Sequence, residues 1–456
     1  MELRTEIVVL GAGAAGLAAA RVLSQAGVPA VVLEARERIG GRLFTREDVG
    51  LPVPVELGGE FIHGTAPVSF ALLRAAHRVA LDVTGESFTY ENGALHIDDE
   101  DRFDVVARVM RRACGLTDDV SAETFLRELG DGPDVERERL LARLFIQGFD
   151  AADPHRASAR ALAEEWNGGE DGQTARTFRP LGGYGHLLRT LHGTLDPERV
   201  QVRLATEAHV LRRHAGGIVV EATTAGGTPV HVRARAAIVT LPVGVLSAGG
   251  LHFEPPLPPE KQGALAHILT GPVVKLVLQF RTAFWERLDS ERYRDAGFFL
   301  RPEAAFPTFW TLLPQRTPLL MAWAGGPKAA ALANHDQTAL VATALDDLAT
   351  LFGDATEPRD ELEAAYAHDW QRDPYARGAY SYLATGGTGA REKLAAPVDD
   401  VLFFAGEATS PTAEACTAAG ALQSGERAAR EALDACRLGL GAGRASYPVD
   451  TPDEGC

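Results

Sequence analysis

At 456 residues, 46% hydrophobic and 23% charged, the chain has ordinary globular composition and is long enough for two domains with substantial cores. Its 45 Lys plus Arg against 62 Asp plus Glu give a net charge of −17, which argues against a general nucleic-acid surface and favours attraction of cations. No run of about 18 apolar residues offers a membrane span, the first predicted strand starts too early to leave room for a signal peptide, and the four cysteines (Cys114, Cys416, Cys436, Cys456) show neither metal spacing nor a disulfide framework, so a cytoplasmic protein is expected.

The apolar run Ile7–Leu10 reads as a buried parallel strand, followed at once by Gly11-Ala-Gly-Ala-Ala-Gly16 and a helical stretch over 17–25 that Gly27 can stop. In this order each glycine has its own role. Gly11 permits a tight turn, Gly13 lets the backbone approach a pyrophosphate beside Ala15, and Gly16 lets helix and strand pack closely. A second apolar strand, Ala30–Leu33, ends on Glu34, at the spacing where an acid takes the hydroxyls of an adenosine ribose. Residues 34–42 then read Glu-Ala-Arg-x-x-x-Gly-Gly-Arg.

That pattern resembles flavoproteins of the amine oxidase superfamily more than nicotinamide dehydrogenases. It implies contacts to the cofactor from Ala35, Arg36 and Gly41, with Arg42 neutralising the pyrophosphate by charge-assisted hydrogen bonds. Residues 55–64 follow as Val-Glu-Leu-Gly-Gly-Glu-Phe-Ile-His-Gly, where Gly58 and Gly59, with Glu60 and Phe61, could bring backbone close to a flat ring.

Further along, 103–166 is mostly helical in composition, with breaks at Gly115 and Pro133, and strands return around 200–204, 208–212 (opening on Ala208), 218–222, 230–233 and 236–242. Prolines 255, 256, 258 and 259 mark a chain crossing. Lys275 sits in Val-Val-Lys-Leu-Val-Leu, which could be a strand with the lysine on its solvent face. Residues 401–407 read as a buried strand ending in Gly406-Glu407, and 418–436 as a long helix whose Ala418 end would aim N–H groups and a positive dipole at a ligand. The Gly-, Pro- and Asp-rich 437–456 is expected to be a disordered tail.

From about residue 5 to 435 the chain resembles the flavin amine oxidases: polyamine oxidases, monoamine oxidases and flavin-type lysine demethylases. The resemblance rests on the glycine fingerprint, 34–42, Glu56-Leu-Gly-Gly with Ile62-His-Gly, the Lys275 segment ending Phe284-Trp285, 370–382, and Phe404-Ala-Gly-Glu-Ala-Thr409. It implies an α/β (α+β) fold in which a discontinuous, Rossmann-like FAD-binding domain (1–82, 181–255 and 398–436) is interleaved with a substrate-binding domain of mixed sheet and helices (83–180 and 256–397). By the same resemblance Lys275 faces the reactive flavin nitrogen through a water and aids reaction with dioxygen, Tyr380 is one wall of an aromatic cage, and Trp370 and Tyr375 pack near the flavin.

Thr417 stands where monoamine oxidases have a second cage tyrosine, which leaves room for a bulkier or secondary amine. Ala379 stands where animal monoamine oxidases attach FAD, so noncovalent FAD is expected. His63 occupies the substrate entrance, where a lone histidine is more often a structural hydrogen bonder. Glu60 and the patch Glu164, Glu165, Glu170 and Asp171 could bind remote ammonium groups, although an acidic run is usually a solvated face.

The implied activity is oxidation of an amine carbon–nitrogen bond, by hydride transfer to FAD with dioxygen reduced to hydrogen peroxide. The substrate would be a polyamine or another primary or secondary amine. An L-amino-acid oxidase or monooxygenase would need a cation for the substrate carboxylate, and Arg176, Arg179 and Arg316 are candidates. A desaturase-type flavoprotein and a scaffold on a flavin fold are the remaining alternatives. No nucleic acid, membrane or metal partner is expected, and the chain would be a monomer or homodimer.

Overall fold

The computed structural model describes all residues except 49, 168–175, 215, 354–356, 411–413 and 437–456. Glu170, Asp171, Cys456 and the predicted tail therefore lie outside the described residues.

The continuous apolar runs seen in the sequence become the middle of a five-stranded parallel sheet. Its order is Val200–Arg203, Ala30–Leu33, Ile7–Leu10, Ala236–Val239 and Leu402–Phe404. Every residue of the three central strands is buried, as a parallel sheet covered on both faces requires. Stretches far apart in sequence thus meet edge to edge, so that the turn after Ile7–Leu10 lies beside Thr240, where the chain leaves Ala236–Val239.

Helices Ala14–Gln25 and Ala418–Ala435 cover one face of this sheet and share a core built from small residues. A Cβ on Gly425 would overlap the Ala15 carbonyl, so the close packing depends on glycine there. A second five-stranded sheet, Glu2–Arg4, Pro229–Ala234, Gly217–Thr224, Thr206–His214 and His252–Glu254, has two antiparallel pairs in its middle and a parallel pair at each edge, and packs its apolar side against the other face. Its strands include those expected around 208, 218 and 230, each a little longer than expected.

The third large element is a seven-stranded sheet in the order Leu362–Ala367, Val273–Phe280, Leu319–Gly325, Thr308–Trp310, Ala296–Leu300, Glu86–Glu91 and Ala94–Ile97. The expected helical region is a set of separate helices, including Arg102–Arg111, Ala122–Arg127, Pro133–Gly148 and Ala159–Asn167, packed in one core.

One expected boundary needs correction. The strand at 401–407 stops at Phe404, because Gly406 takes φ +131° and Glu407 opens a 3-10 turn, Glu407–Thr409. Of the two readings open for Lys275, the solvent face is excluded: the residue is 3% exposed, inside a strand flanked on both sides. Among the described residues Cys416 and Cys436 are free thiols.

Candidate active site

One cavity of about 1350 Å³ runs between the parallel sheet and the seven-stranded sheet. It is lined by every residue singled out above as cofactor-binding or catalytic except Gly16. Ligand pockets for small molecules are usually about 300–1,000 Å³, so this volume suits a large cofactor together with a substrate.

The cofactor end is a backbone cradle. Gly16 lies behind it, where a Cβ would overlap the Gly11 carbonyl, so the first turn of the helix can close on the strand only without a side chain. Gly13 and Gly41 face each other with no side chain between them, since a Cβ built on Gly41 would sit 3.3 Å from the Gly13 Cα. Gly58 presses against the Arg42 carbonyl in the same way. The floor is thus bare peptide, which fits the flat rings and pyrophosphate of a dinucleotide.

Side chains fix the cradle's shape. Glu34, buried at the end of its strand, accepts from the Ala12 N–H at 2.7 Å and the Arg36 N–H at 2.9 Å. Arg36 makes a bidentate pair with Asp373 at 2.7 and 2.8 Å and lies over the Tyr375 ring, whose hydroxyl reaches Glu207 at 3.2 Å. Arg42 donates to Glu407 at 2.8 Å and to the Ala379 carbonyl at 2.5 Å. Burial would raise the Glu407 carboxyl, but the charges of Arg42 and Arg391 hold it below the ordinary range. Trp370 is buried and donates to the Leu57 carbonyl at 2.8 Å. Ala208 and Ala418 complete the lining, Ala418 as the first residue of its helix.

At the other end Lys275 projects from Val273–Phe280. Its Nζ donates to Glu60 Oε2 at 2.7 Å and to the Gly58 carbonyl at 3.2 Å, and lies 5.7 Å from the Trp310 ring centroid. Glu60 Oε1 accepts from Arg179 at 2.5 Å and from the Trp310 indole at 3.3 Å. Burial would push the Glu60 carboxyl up, yet Lys275 and Arg179 outweigh it and hold it down to about 2. Both its oxygens are therefore engaged inside the protein, which leaves Glu60 neither on a solvated face nor open to a remote ammonium group.

Aromatic side chains close this end. Tyr380 donates to the Phe149 carbonyl at 2.6 Å, and burial, Asp150, Cys416 and Glu407 all push its phenol well above the ordinary range. The Phe149 ring packs on His63, Phe103, Phe145 and Trp166. His63 contacts the Thr177 hydroxyl at 3.2 Å, and burial pushes its imidazole down to about 4, so it is neutral near pH 7. Asp150 accepts from the Trp166 indole at 3.2 Å, and burial together with the charge of Glu165 raises its carboxyl well above the ordinary range.

Thr417 lines the cavity, but its contacts are structural. Its hydroxyl accepts from the Gly420 N–H at 3.0 Å, capping Ala418–Ala435, and donates to the Glu414 carbonyl at 2.6 Å. The acidic patch divides. Glu165 lines the cavity and pairs with Arg391 at 2.9 Å, while Glu164 is exposed outside it. None of the three candidate carboxylate-binding arginines lines the cavity: Arg176 pairs with Asp82, Arg179 with Glu60, and Arg316 with Glu286 and Asp295. Asp150, Trp310 and the ties of Arg391 and Asp373 were missed in the sequence, since no local spacing marks partners brought in from other elements.

A family model described as flavin-containing amine oxidoreductase matches residues 14–433. The chain belongs to that family. It is an FAD-dependent oxidoreductase acting on amine groups, and the glycine cradle and cavity fit that cofactor. "Polyamine oxidase 2" of Arabidopsis thaliana is 29% identical over 439 residues, covering 89% of this chain and 83% of the relative. "Lysine-specific histone demethylase 1 homolog 3" of the same plant is 29% identical over 503 residues, covering 95% of this chain, which spans only 30% of that protein's length. A solved putrescine oxidase bound to putrescine superposes with a TM-score of 0.80 at 22% identity, covering 95% of this chain and 100% of that one, a likeness of fold. Among the described residues no helix is long and apolar enough to cross a membrane.

Proposed function

We propose that this chain is an amine oxidase for a polyamine or another primary or secondary amine, using noncovalent FAD and dioxygen. The observation that carries the reading is a buried ammonium, Lys275, facing the same cavity as an aromatic enclosure that holds two carboxyl groups, Asp150 and Glu165. The chemistry FAD supplies when bound is acceptance of a hydride from the amine α-carbon and passage of the two electrons to dioxygen, giving hydrogen peroxide, while the imine hydrolyses to a carbonyl compound and an amine.

The protein's part is orientation, exclusion of water and placement of charge. Phe149, Trp166 and Tyr380 enclose the amine, and a neutral His63 leaves the entrance free of a repelling cation. Burial and the charge of Glu165 raise the cost of ionising Asp150 in a dry site, so a cation beside Asp150 relieves that cost. Lys275 stabilises negative charge that develops as dioxygen is reduced. Glu34 receives the ribose and Arg42 the pyrophosphate, within an FAD-binding domain made of 1–82, 181–255 and 398–436. Incubation of the purified protein with spermidine, spermine and putrescine should yield peroxide and an aminoaldehyde in equal amounts. Peroxide formation from L-amino acids alone would replace this reading with an amino-acid oxidase.

A further inference from the structure

Nothing in the sequence points to a partner for Lys275, yet in the structure it is one of three charges buried together. Lys275, Glu60 and Arg179 are 3%, 6% and 5% exposed. They come from three separate elements: the strand Val273–Phe280, the segment joining the glycine cradle to Ile62–His63, and the strand Thr177–Pro180. Arg179 is itself fixed, donating to the Thr311 and Leu313 carbonyls at 3.0 Å each.

Charge counting exposes a difficulty and its solution. A buried ammonium needs a carboxylate to stay charged, but a lone carboxylate at 2.7 Å would cancel the positive field that the ammonium is there to provide. With Arg179 on the other oxygen, the cluster carries one net positive charge while every ion keeps a partner. Geometry agrees: Glu60 and the Gly58 carbonyl engage two of the three ammonium N–H directions, leaving the third for the cavity. Glu56 also interacts with this lysine, and burial raises its carboxyl to about 7.

We infer that Glu60 and Arg179 are positioning residues for Lys275: the carboxylate aims and keeps the ammonium, and the guanidinium restores the positive charge that the carboxylate would otherwise remove. This rests on the reading of Lys275 as the group that promotes reaction with dioxygen. The two can fail separately.

The test uses the holoenzyme with ¹³C-labelled lysine, which is practical because the chain has only four lysines, at 261, 275, 328 and 393. K275M assigns the resonance. E60Q is expected to lower the proton affinity of Lys275 about tenfold or more, the scale of an opposite charge within a few ångströms, and to raise the flavin midpoint potential. R179M is expected to move both quantities the opposite way and to slow flavin reoxidation, since the remaining pair is neutral. Opposite signs from the two variants identify electrostatic positioning, because damage to packing would move both readouts alike. Same-sign shifts, or a Lys275 titration and a potential equal to wild type in E60Q, would overturn the inference. Unchanged reoxidation in K275M would instead overturn the reading of Lys275, whatever the resonance does.

Discussion

The two ends of the cavity are built by opposite means. The cofactor end is mostly peptide: glycines 13, 41 and 58 leave no side chain in the way, and Glu34 secures the turn through N–H groups of Ala12 and Arg36, its near neighbours in sequence or across one strand pair. The other end is built mainly of side chains, with Glu60 bound to residues 119 and 215 positions away and Trp310 at 250. Steric conditions on a backbone leave a spacing signature; a charge cluster drawn from three elements leaves none. The first end should therefore break through shape and the second through charge.

Shape gives the largest effect. Gly16→Val places atoms inside the Gly11 carbonyl, and the purified variant should carry no flavin, read as loss of its visible absorbance. Retention of flavin would show that the cradle tolerates a side chain and is not the cofactor end. Next comes charge: Lys275→Met should slow reoxidation of reduced flavin by about 100-fold, the usual loss on removing one group that stabilises a developing anion, while anaerobic reduction by the amine falls much less. Equal losses in both half-reactions would mean that the lysine serves structure.

Smaller effects sharpen the boundary between the ends. Tyr380→Phe removes a hydrogen bond to the Phe149 carbonyl and should raise KM about fivefold, from roughly 1 kcal/mol. Thr417→Ala should cost about 1 kcal/mol of stability through the lost cap. A fall in kcat beyond tenfold with an unchanged thermal midpoint would return Thr417 to the chemistry. His63 sets a pH window. Its folded form holds on to a proton only below about 4, against 6.5 when unfolded, so the unfolded chain binds more protons between those values and stability falls as the pH drops from 6.5 to about 4. Urea midpoints over that range should flatten in His63→Gln; an unchanged slope would place the titration elsewhere.

Legibility in the sequence followed the same division. The strand Ile7–Leu10, its glycine turn, the strand Ala30–Leu33 and the helix Ala418–Ala435 were all readable, because buried parallel strands and close helix packing constrain consecutive residues. Lys275 was readable only as a choice between a solvent face and a buried site, since alternation in a strand flanked on both sides does not say which face is covered. The partners of Glu60, Arg179 and Lys275, were not readable because they are distant in the chain. Thr417 was read by its place in the resemblance, whereas its neighbours Gly420 and Glu414 show a helix cap.

The most direct test of the central claim is anaerobic bleaching of the bound flavin against putrescine, spermidine, spermine, phenethylamine, an N-methylated amine and several L-amino acids, followed by rapid mixing. An oxidase built as described should bleach within seconds with at least one di- or polyamine and stay yellow with amino acids. Bleaching by amino acids alone, or by none of the panel, would contradict it.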